Sequence, residues 1–341
     1  MKPKFAIAFV GALLSIFPLG SSEAASLEEF YRGKQIELIS SSDAGSSFDA
    51  YARAIAPFMT KYLPGNPIIV VKNMPGGGHI RATNYLYSVA PNDGYTIGLS
   101  SQLMVAASVL KHKPALKADF TKFVFIGSLD KPDHVCLARS DAPAKSGDDL
   151  FSTELLVGGG GAGSGATAIA TFVNKALGLK LKIIEGYKGN NEIFLAIDRH
   201  EIEGACVTIS SARLSKSEAL KDGSMRVLFN MREQPIPETG APSIFSLVRD
   251  PDDIEMLRFY ARMTTQVGRP ILAPPGTPRD KVDALRKAFE ASIRDPEFIA
   301  NVTAQKLDPT GASASELEEI LDQLLATPPT TLQRAVELGA F

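Results

Sequence analysis

The sequence has little of several residue types that mark specialised classes of protein. Its 341 residues include two cysteines, four histidines and no tryptophan. Two cysteines exclude a disulfide-dense scaffold and a four-thiolate metal site. The 36 Lys and Arg residues nearly balance the 38 Asp and Glu residues, for a net charge of −2. We therefore expect no nucleic-acid partner, because such a partner requires a basic surface.

Only the N-terminus carries a long apolar run. Lys2 and Lys4 precede an apolar segment from Phe5 to Leu19, and Ser22-Glu23-Ala24 supplies small residues of the kind that a signal peptidase recognises. The segment is shorter than the roughly 20 residues of a membrane-spanning helix, which is the alternative interpretation. We predict a signal peptide over residues 1–24 and a mature protein outside the cytoplasm, in an oxidising compartment.

In that oxidising compartment the two cysteines have two possible states. Cys136 and Cys206 each lie in a short, apolar, strand-like run. They either form a disulfide bond or lie buried as separate thiols, since cysteine packs as a small apolar residue. The sequence leaves both states open.

Short β-branched runs alternate with helical periodicity along the rest of the chain. With 45% apolar and 22% charged residues the composition is that of a globular protein, and the length suggests two domains. The alternation predicts an α/β fold of mostly parallel sheets flanked by helices. The predicted strands are Ile36–Ile39, Ile68–Val71, Tyr95–Leu99, Phe123–Ile126, Val135–Ala138, Leu155–Val157, Leu181–Ile184, Gly204–Val207, Val227–Phe229 and Pro270–Ala273.

Two predicted helices carry local signals of their own. Tyr51 and Ile55 lie on one helical face, and Pro57 falls inside that pattern, so we expect a kink or an early end there. Near the C-terminus, Ser313 and Glu316 have the spacing of a capping box, which predicts the start of another helix.

Ligands of α/β proteins bind at loops that follow the carboxyl ends of strands. The first such loop, Ser40–Asp49, is rich in hydroxyl groups and leads into a helix, whose N-terminus attracts anions. Simple N-capping is the alternative interpretation. Asn73–His79 holds three consecutive glycines, which allow either close approach of a ligand or a flexible turn. In the loop Gly186–Glu192, Tyr187 either lines a cleft or packs.

A further glycine-rich loop lies between a predicted strand and a helix. Gly158, Gly160 and Gly163 satisfy G-x-G-x-x-G, and Glu185 follows at the end of the next strand. This is formally the dinucleotide-binding pattern. Ser164 stands where a phosphate-binding P-loop requires lysine. Because so many glycines make a chance match easy, we interpret the loop as an anion-receiving helix N-terminus.

No catalytic set accompanies these loops. None of the four histidines belongs to an H-E-x-x-H motif, and Ser164 lacks the glycines of a G-x-S-x-G nucleophile elbow. His79 lies beside a candidate site, but a single loop histidine more often forms a hydrogen bond than acts as a base. We predict a binding protein rather than an enzyme, with no cofactor and no metal.

Taken in order, the motifs of the chain resemble those of the extracytoplasmic receptors of tripartite tricarboxylate transporters, the Bug-type periplasmic binding proteins. The resemblance covers nearly all of the mature chain. It rests on the small-residue loop that ends at Asp49, the Gly158–Ser164 loop and these segments: Phe30–Lys34, Asn73–Gly78, Ala90–Thr96, Phe125–Ser128, Gly186–Gly189, Glu201–Gly204 and Ala273–Pro278.

The resemblance implies a two-lobed periplasmic-binding-protein fold of the Venus-flytrap type. Lobe one would comprise residues 25–127 and 266–341, and lobe two residues 128–265. A carboxylate would bind between the lobes, held mostly by backbone N–H groups, hydroxyls and water. The implied ligand-binding residues are Ser42, Ala44, Gly45, Ser46, Ser47, Asp49, Gly77, Gly78 and Ser101 in lobe one, and Gly161, Ala162, Gly163, Ser164 and Tyr187 in lobe two. Asp49 would shape its loop rather than touch an anion.

The expected function is therefore that of a monomeric periplasmic receptor, which captures a small organic acid and delivers it to integral membrane transporter subunits. Two alternatives remain at this point. One is an exported sensor that signals to a membrane partner when its ligand binds. The other is a nucleotide-binding oxidoreductase that uses the Gly158–Gly163 loop and Glu185.

Overall fold

The computed structural model describes residues 20–160, 164–236, 240–305 and 307–338. Most of the predicted signal peptide, residues 1–19, lies outside these ranges. None of the helices in the described ranges combines the length and the apolar character needed to cross a membrane.

Six strands form the first sheet. They are β1 (Gln35–Ser40), β2 (Ile68–Asn73), β3 (Thr96–Leu99), β4 (Val124–Ser128), β10 (Pro270–Ala273) and β11 (Ala312–Ser313). Their order across the sheet is β11-β4-β10-β3-β1-β2. Strand β1 pairs in parallel with β2 and β3, whereas β10 runs antiparallel between β3 and β4.

The five strands between β4 and β10 form the second sheet. They are β5 (His134–Arg139), β6 (Leu155–Gly158), β7 (Leu181–Ile184), β8 (Gly204–Thr208) and β9 (Met225–Asn230), in the order β7-β6-β8-β5-β9. Strand β6 is parallel to β7 and β8, and β5 is antiparallel to β8 and β9. The fold is thus α/β with two lobes, one built on each sheet.

Helices cover the sheets. They are α1 (Gly20–Tyr31), α2 (Ser47–Tyr62), α3 (Ile80–Ser88), α4 (Gln102–Leu110), α5 (Gly165–Leu177), α6 (Asn190–Asp198), α7 (Ile209–Lys221), α8 (Asp252–Thr265), α9 (Arg279–Arg294), α10 (Pro296–Ala304), α11 (Ala314–Leu325) and α12 (Pro329–Glu337). Short 3₁₀ turns occur at Asp148–Phe151 and Ile244–Leu247. The predicted capping box of Ser313 and Glu316 is confirmed at the start of α11.

All ten predicted strands are confirmed, but two expectations are corrected. The sheets are mixed rather than mostly parallel, because β10 returns from the second lobe and enters between β3 and β4 in the opposite direction. Helix α2 does not end early at Pro57 but continues to Tyr62, while the kink predicted as the other outcome stays a prediction. Pro57 is exposed, so the Arg53 carbonyl that loses its partner lies on the solvent side, while Ile55 and Met59 hold the helix from the core side.

The apolar core is continuous from one lobe to the other. Its bridging element is α8, where the ring of Tyr260 stacks on that of Phe172 in α5 with centroids 3.5 Å apart. Tyr260 is 1% exposed and belongs to a buried cluster that includes residues of both sheets. Cys136 and Cys206 lie opposite each other on β5 and β8, and they form a disulfide bond buried in this cluster.

Candidate functional site

The strand ends of the first sheet gather at one edge. Ser40 at the end of β1 lies opposite Asn73 at the end of β2 and Leu99 at the end of β3. Because β10 is antiparallel, its first residue, Pro270, lies opposite Ser128, the last residue of β4. The loops that follow β1, β2 and β3 therefore lie at the same edge as the two segments that link the lobes, residues 129–133 and 266–269.

The second sheet repeats this arrangement. Gly158 at the end of β6 lies opposite Ile184 at the end of β7. His134, where β5 begins after the first link, lies opposite Thr208 at the end of β8. The strand-to-helix loops of both lobes are thus on the edges nearest the links, where ligands of open α/β sheets bind.

In the first loop, Asp49 holds the backbone in shape. Its carboxylate accepts hydrogen bonds from the Gly45 N–H (2.9 Å), from Nε of Arg53 (3.0 Å) and from Nδ2 of Asn73 (2.9 Å). Burial alone would raise the pKa of Asp49, but the hydrogen bonds from Arg53, Gly45 and Asn73 outweigh it and lower the pKa to about 2. The Asp49 side chain is therefore ionised at neutral pH and holds the loop in shape through its hydrogen bonds.

The other predicted residues of this loop offer small groups toward the surface. Ala44, Gly45 and Ser47 are exposed, and Ser42 and Ser46 are half-buried. The Ser46 hydroxyl caps α2 by accepting the Asp49 N–H over 3.2 Å. The remaining N–H groups of the first turn have no partner within the helix, so they are available to an anion.

The glycine loop after β2 packs against the first loop. Gly77 and Gly78 are exposed and have positive φ values of 58° and 57°. His79, at the N-cap of α3, places Nδ1 2.9 Å from Oγ of Ser41, and its ring lies 4.8 Å from that of Phe48. Burial lowers the pKa of His79, so the imidazole is neutral at neutral pH.

Ser101 marks a third helix start at this edge. It is buried, and its hydroxyl caps α4 by accepting the Leu103 N–H over 3.2 Å. The next residue, Gln102, donates its N–H to the Gly268 carbonyl over 3.2 Å, which places this turn against the second link. The loops that follow β1, β2 and β3 thus form one continuous surface in the first lobe.

In the second lobe the described part of the glycine-rich loop folds onto the loop after β7. Ser164 occupies the N-cap of α5, and its Oγ accepts the Gly160 N–H over 3.3 Å. The Tyr187 N–H donates to the Gly159 carbonyl over 3.3 Å. A Cβ on Gly160 would lie 2.7 Å from the Ser164 side chain, so only glycine allows this close packing. The predicted residues Gly161, Ala162 and Gly163 lie outside the described residues.

Sequence reasoning missed a hydroxyl cluster at the end of β8. Thr208 caps α7, and its Oγ1 lies 2.8 Å from Oγ of Ser211, which also accepts a hydrogen bond from Nδ2 of Asn190 over 3.0 Å. The run Thr208–Ser211 follows a predicted strand and is rich in hydroxyls. The rule that selected the first loop would have found it.

Sequence reasoning also missed Arg269. Its Nη2 donates to Oγ of Ser47 over 3.2 Å, and its guanidinium forms an ion pair with Asp130. Arg269 precedes a strand instead of following one, so it does not belong to a strand-to-helix loop. Only the antiparallel entry of β10 brings it beside the first loop.

A cavity of about 990 Å³ lies beside the two links, where Lys131 and Gln266 line it. It is lined mainly by charged and polar side chains, among them Lys131, Arg232, Arg258 and Glu316. None of the predicted site residues lines it. Several of its charges are already paired, as in the contacts of Lys131 with Glu316 and of Arg258 with Glu233. We therefore place the candidate site at the facing strand ends.

The arrangement suits binding rather than chemistry. Its functional groups are hydroxyls, helix N-termini, the guanidinium of Arg269 and the imidazole of His79, which forms a hydrogen bond with the hydroxyl of Ser41. Ser41 is 2% exposed, so this hydroxyl packs against the imidazole instead of being presented at the loop surface. Within the described ranges, no group of three or more His, Cys, Asp or Glu residues is placed to hold a metal ion. Two lobes with donor groups on their facing strand ends form the arrangement expected of a two-lobed solute-binding protein.

Comparison with known proteins identifies the family. The sequence matches the tripartite tricarboxylate transporter family receptor over residues 51–332. The chain belongs to this family, which consists of solute receptors and not of enzymes, so the oxidoreductase alternative is wrong. No curated protein matches the chain significantly.

Solved structures show the same fold. A TctC solute-binding protein from Polaromonas has a TM-score of 0.68 and 21% identity, covering 89% of this chain and 99% of that one. MatC from Rhodopseudomonas palustris with bound malate has a TM-score of 0.60 and 20% identity, covering 88% and 99%. Rpa4515 from R. palustris with adipate has a TM-score of 0.61 and 18% identity, covering 90% and 97%.

Proposed function

We propose that the protein captures a small organic acid between its lobes in the periplasm and delivers it to the membrane subunits of a tripartite transporter. The observation that carries the proposal is the repeated Ser or Thr N-cap at the two facing edges. The N-cap residues of helices α2, α4, α5 and α7 are Ser46, Ser101, Ser164 and Thr208. Each helix start presents N–H groups and a partial positive charge to an anion.

The ligand site in this proposal consists of the predicted residues of both lobes. In lobe one these are Ser42, Ala44, Gly45, Ser46, Ser47, Gly77, Gly78 and Ser101, and Asp49 shapes the first loop. In lobe two they are Gly161, Ala162, Gly163, Ser164 and Tyr187. A hydrogen bond to a charged group contributes about 1.5–3 kcal/mol, so three or four of them give micromolar affinity. The malate and adipate named for two structures of this fold are acids of the expected size.

Ligand binding in this scheme favours closure. We propose lobe one as residues 25–127 and 266–341 and lobe two as residues 128–265, which move about the links 129–133 and 266–269. A ligand that contacts both lobes stabilises the closed arrangement by its greater affinity for that state. The closed form is then the one that the membrane subunits recognise, and the receptor itself acts as a monomer.

Isothermal titration with malate, adipate and citrate tests the binding site. Ala44 is exposed in the first loop, so Ala44→Trp fills the proposed cleft without disturbing the core. We expect it to weaken binding of the best acid at least tenfold. Ala300→Trp is the matched control, because Ala300 is also exposed and lies on α10, away from both edges. Equal affinity of the Ala44→Trp variant and the parent would place the site elsewhere.

Two further measurements test the rest of the proposal. Mass spectrometry of the exported protein should show a chain that begins after Ala24. Deletion of the gene should abolish uptake of the acid that titrates. Normal uptake together with a lost transcriptional response to that acid would instead establish the sensor, which the family membership alone does not separate from a transport receptor.

A further inference from the structure

Arg269 is held in one orientation at the junction of the lobes. Its backbone N–H donates to Oδ1 of Asp130 over 3.0 Å, and its guanidinium pairs with the same carboxylate. Asp130 lies in the first link and its side chain is 2% exposed. The guanidinium carbon also lies 4.8 Å from the ring centre of Phe48 and 4.9 Å from that of Tyr51. An ion pair and two aromatic faces therefore fix the plane of the group.

The free edge of this guanidinium reaches the first loop. Its side chain is 21% exposed, and Nη2 donates to the hydroxyl of Ser47, which is itself exposed. Nε is buried and has no hydrogen-bond partner among the described residues. Arginine has five N–H donors, so the contacts with Asp130 and Ser47 leave donors for another acceptor.

The position of Arg269 between the two lobes is also evident in its electrostatic effects. The pKa of His134, at the start of β5 in lobe two, is lowered mainly by burial and also by the positive charge of Arg269. This charge likewise contributes to the lowered pKa of His79, in the glycine loop of lobe one. Both imidazoles are neutral at neutral pH, so no imidazolium lies beside the positive charge of Arg269.

We propose that Arg269 is a ligand-contacting residue that, together with Ser47, binds one carboxylate of the acid and selects acids over their uncharged amides. The inference rests on the proposed function. Asp130 balances the formal charge of Arg269, so what the guanidinium adds is a rigid pair of donors rather than net attraction. A planar carboxylate matches such a pair, whereas an amide presents one oxygen and an N–H group that clashes with a donor.

The test needs variants that keep the junction folded. Removal of Arg269 alone would leave the buried Asp130 charge without its partner, whereas replacing both residues removes the two charges together. We therefore choose the double variant Asp130→Asn with Arg269→Gln, and the single variant Arg269→Lys, which keeps the ion pair but loses the paired donors. Arg279→Gln is the control, because its side chain is 95% exposed on α9. Circular dichroism and thermal unfolding check that each variant is folded.

The probes are malate, adipate and the uncharged diamide of malate. For the better-bound acid we expect the double variant to lose ten- to a hundredfold in affinity and Arg269→Lys to lose three- to tenfold. The parent should prefer malate over its diamide, and that preference should shrink at least tenfold in the double variant. A role of Arg269 in shaping the loop alone would weaken acid and diamide equally and would overturn the inference.

The remaining outcomes separate this inference from the proposed function. If the parent binds an acid and the folded double variant binds it with the same affinity, Arg269 is not a ligand contact, and the carboxylate receptor stands. If the parent binds none of the acids, both the receptor proposal and the role of Arg269 fall.

Discussion

The amide of Asn73 donates to Oδ1 of Asp49 over 2.9 Å and thereby joins the loops that follow β1 and β2. The same Nδ2 also donates to the carbonyl of Ser42 over 3.0 Å, within the first loop. The side chain of Asn73 thus joins two predicted site segments through contacts that span 24 and 31 positions of the sequence, one of them to the buried carboxylate of Asp49. The shape of the candidate site therefore depends on the ionised state of Asp49.

Asp49→Asn should destabilise the protein by about 2–3 kcal/mol at pH 7, because the pKa of Asp49 is lowered from 3.8 to about 2 in the folded state. A carboxylate with a lowered pKa contributes its full stability above its unfolded pKa and loses it as pH falls through the folded value. The difference between variant and parent should therefore shrink between about pH 5 and pH 2. Urea unfolding at several pH values measures it.

The matched control for this prediction is Asp43→Asn. Asp43 belongs to the same loop but is exposed, and such surface substitutions change stability by less than about 0.5 kcal/mol. A pH-independent cost of Asp49→Asn would show that its hydrogen bonds, and not its charge, hold the loop.

The sequence predicted the elements and the location of the lobe-one loops better than it predicted the contacts between them. β-branched runs bounded by turn residues are local signals, so the ten longer strands could be located, whereas the two-residue β11 has no pattern of its own. Strand direction is a property of the chain path, which is why the antiparallel entry of β10 was missed. Arg269 was missed for the same reason, since only that path brings it to Ser47.

Gly268→Ala should destabilise the protein by about 3 kcal/mol or more. Gly268 has a φ of +57°, and a Cβ there would lie 1.9 Å from the carbonyl oxygen of Asp130 in the other link. Gly178→Ala is the control, because its φ is +69° but nothing lies within 4 Å of the added carbon. Gly178→Ala should lower the free energy of unfolding only by the penalty of placing alanine in the left-handed conformation, about 1–2 kcal/mol. Equal costs in urea unfolding would mean that the two links are not closely packed.

Replacement of both cysteines by alanine should lower the free energy of unfolding by about 2–4 kcal/mol. The bond between Cys136 and Cys206 closes a loop with a sequence separation of 70, and closure of such a loop restricts the unfolded chain. Because both residues are at most 1% exposed, brief treatment of the folded parent with a reductant should leave its melting temperature unchanged. Guanidinium unfolding of parent and variant gives the first quantity, and a variant as stable as the parent would contradict it.

His134 should make the protein less stable in mild acid. Burial, followed by the charge of Arg269, lowers the pKa of His134 from 6.5 to about 4. A base whose pKa is lowered in the folded state takes up a proton more readily in the unfolded chain. The unfolded state is therefore stabilised relative to the folded state as the pH falls from about 6.5 to 4. The parent should therefore lose about 3 kcal/mol more than His134→Gln between pH 7 and pH 4.

The comparison with His200 isolates this effect from the acid sensitivity of the carboxylates. His200→Asn is the control for loss of a surface histidine, because the His200 side chain is 64% exposed. The contribution of Asp49 to the free energy of unfolding decreases only below about pH 5. Changes in stability between pH 6.5 and pH 5 therefore arise mainly from histidine. Parallel stability curves for the parent and His134→Gln in that interval would mean that the imidazole at the start of β5 is protonated in the folded protein, with its charge accommodated beside Arg269.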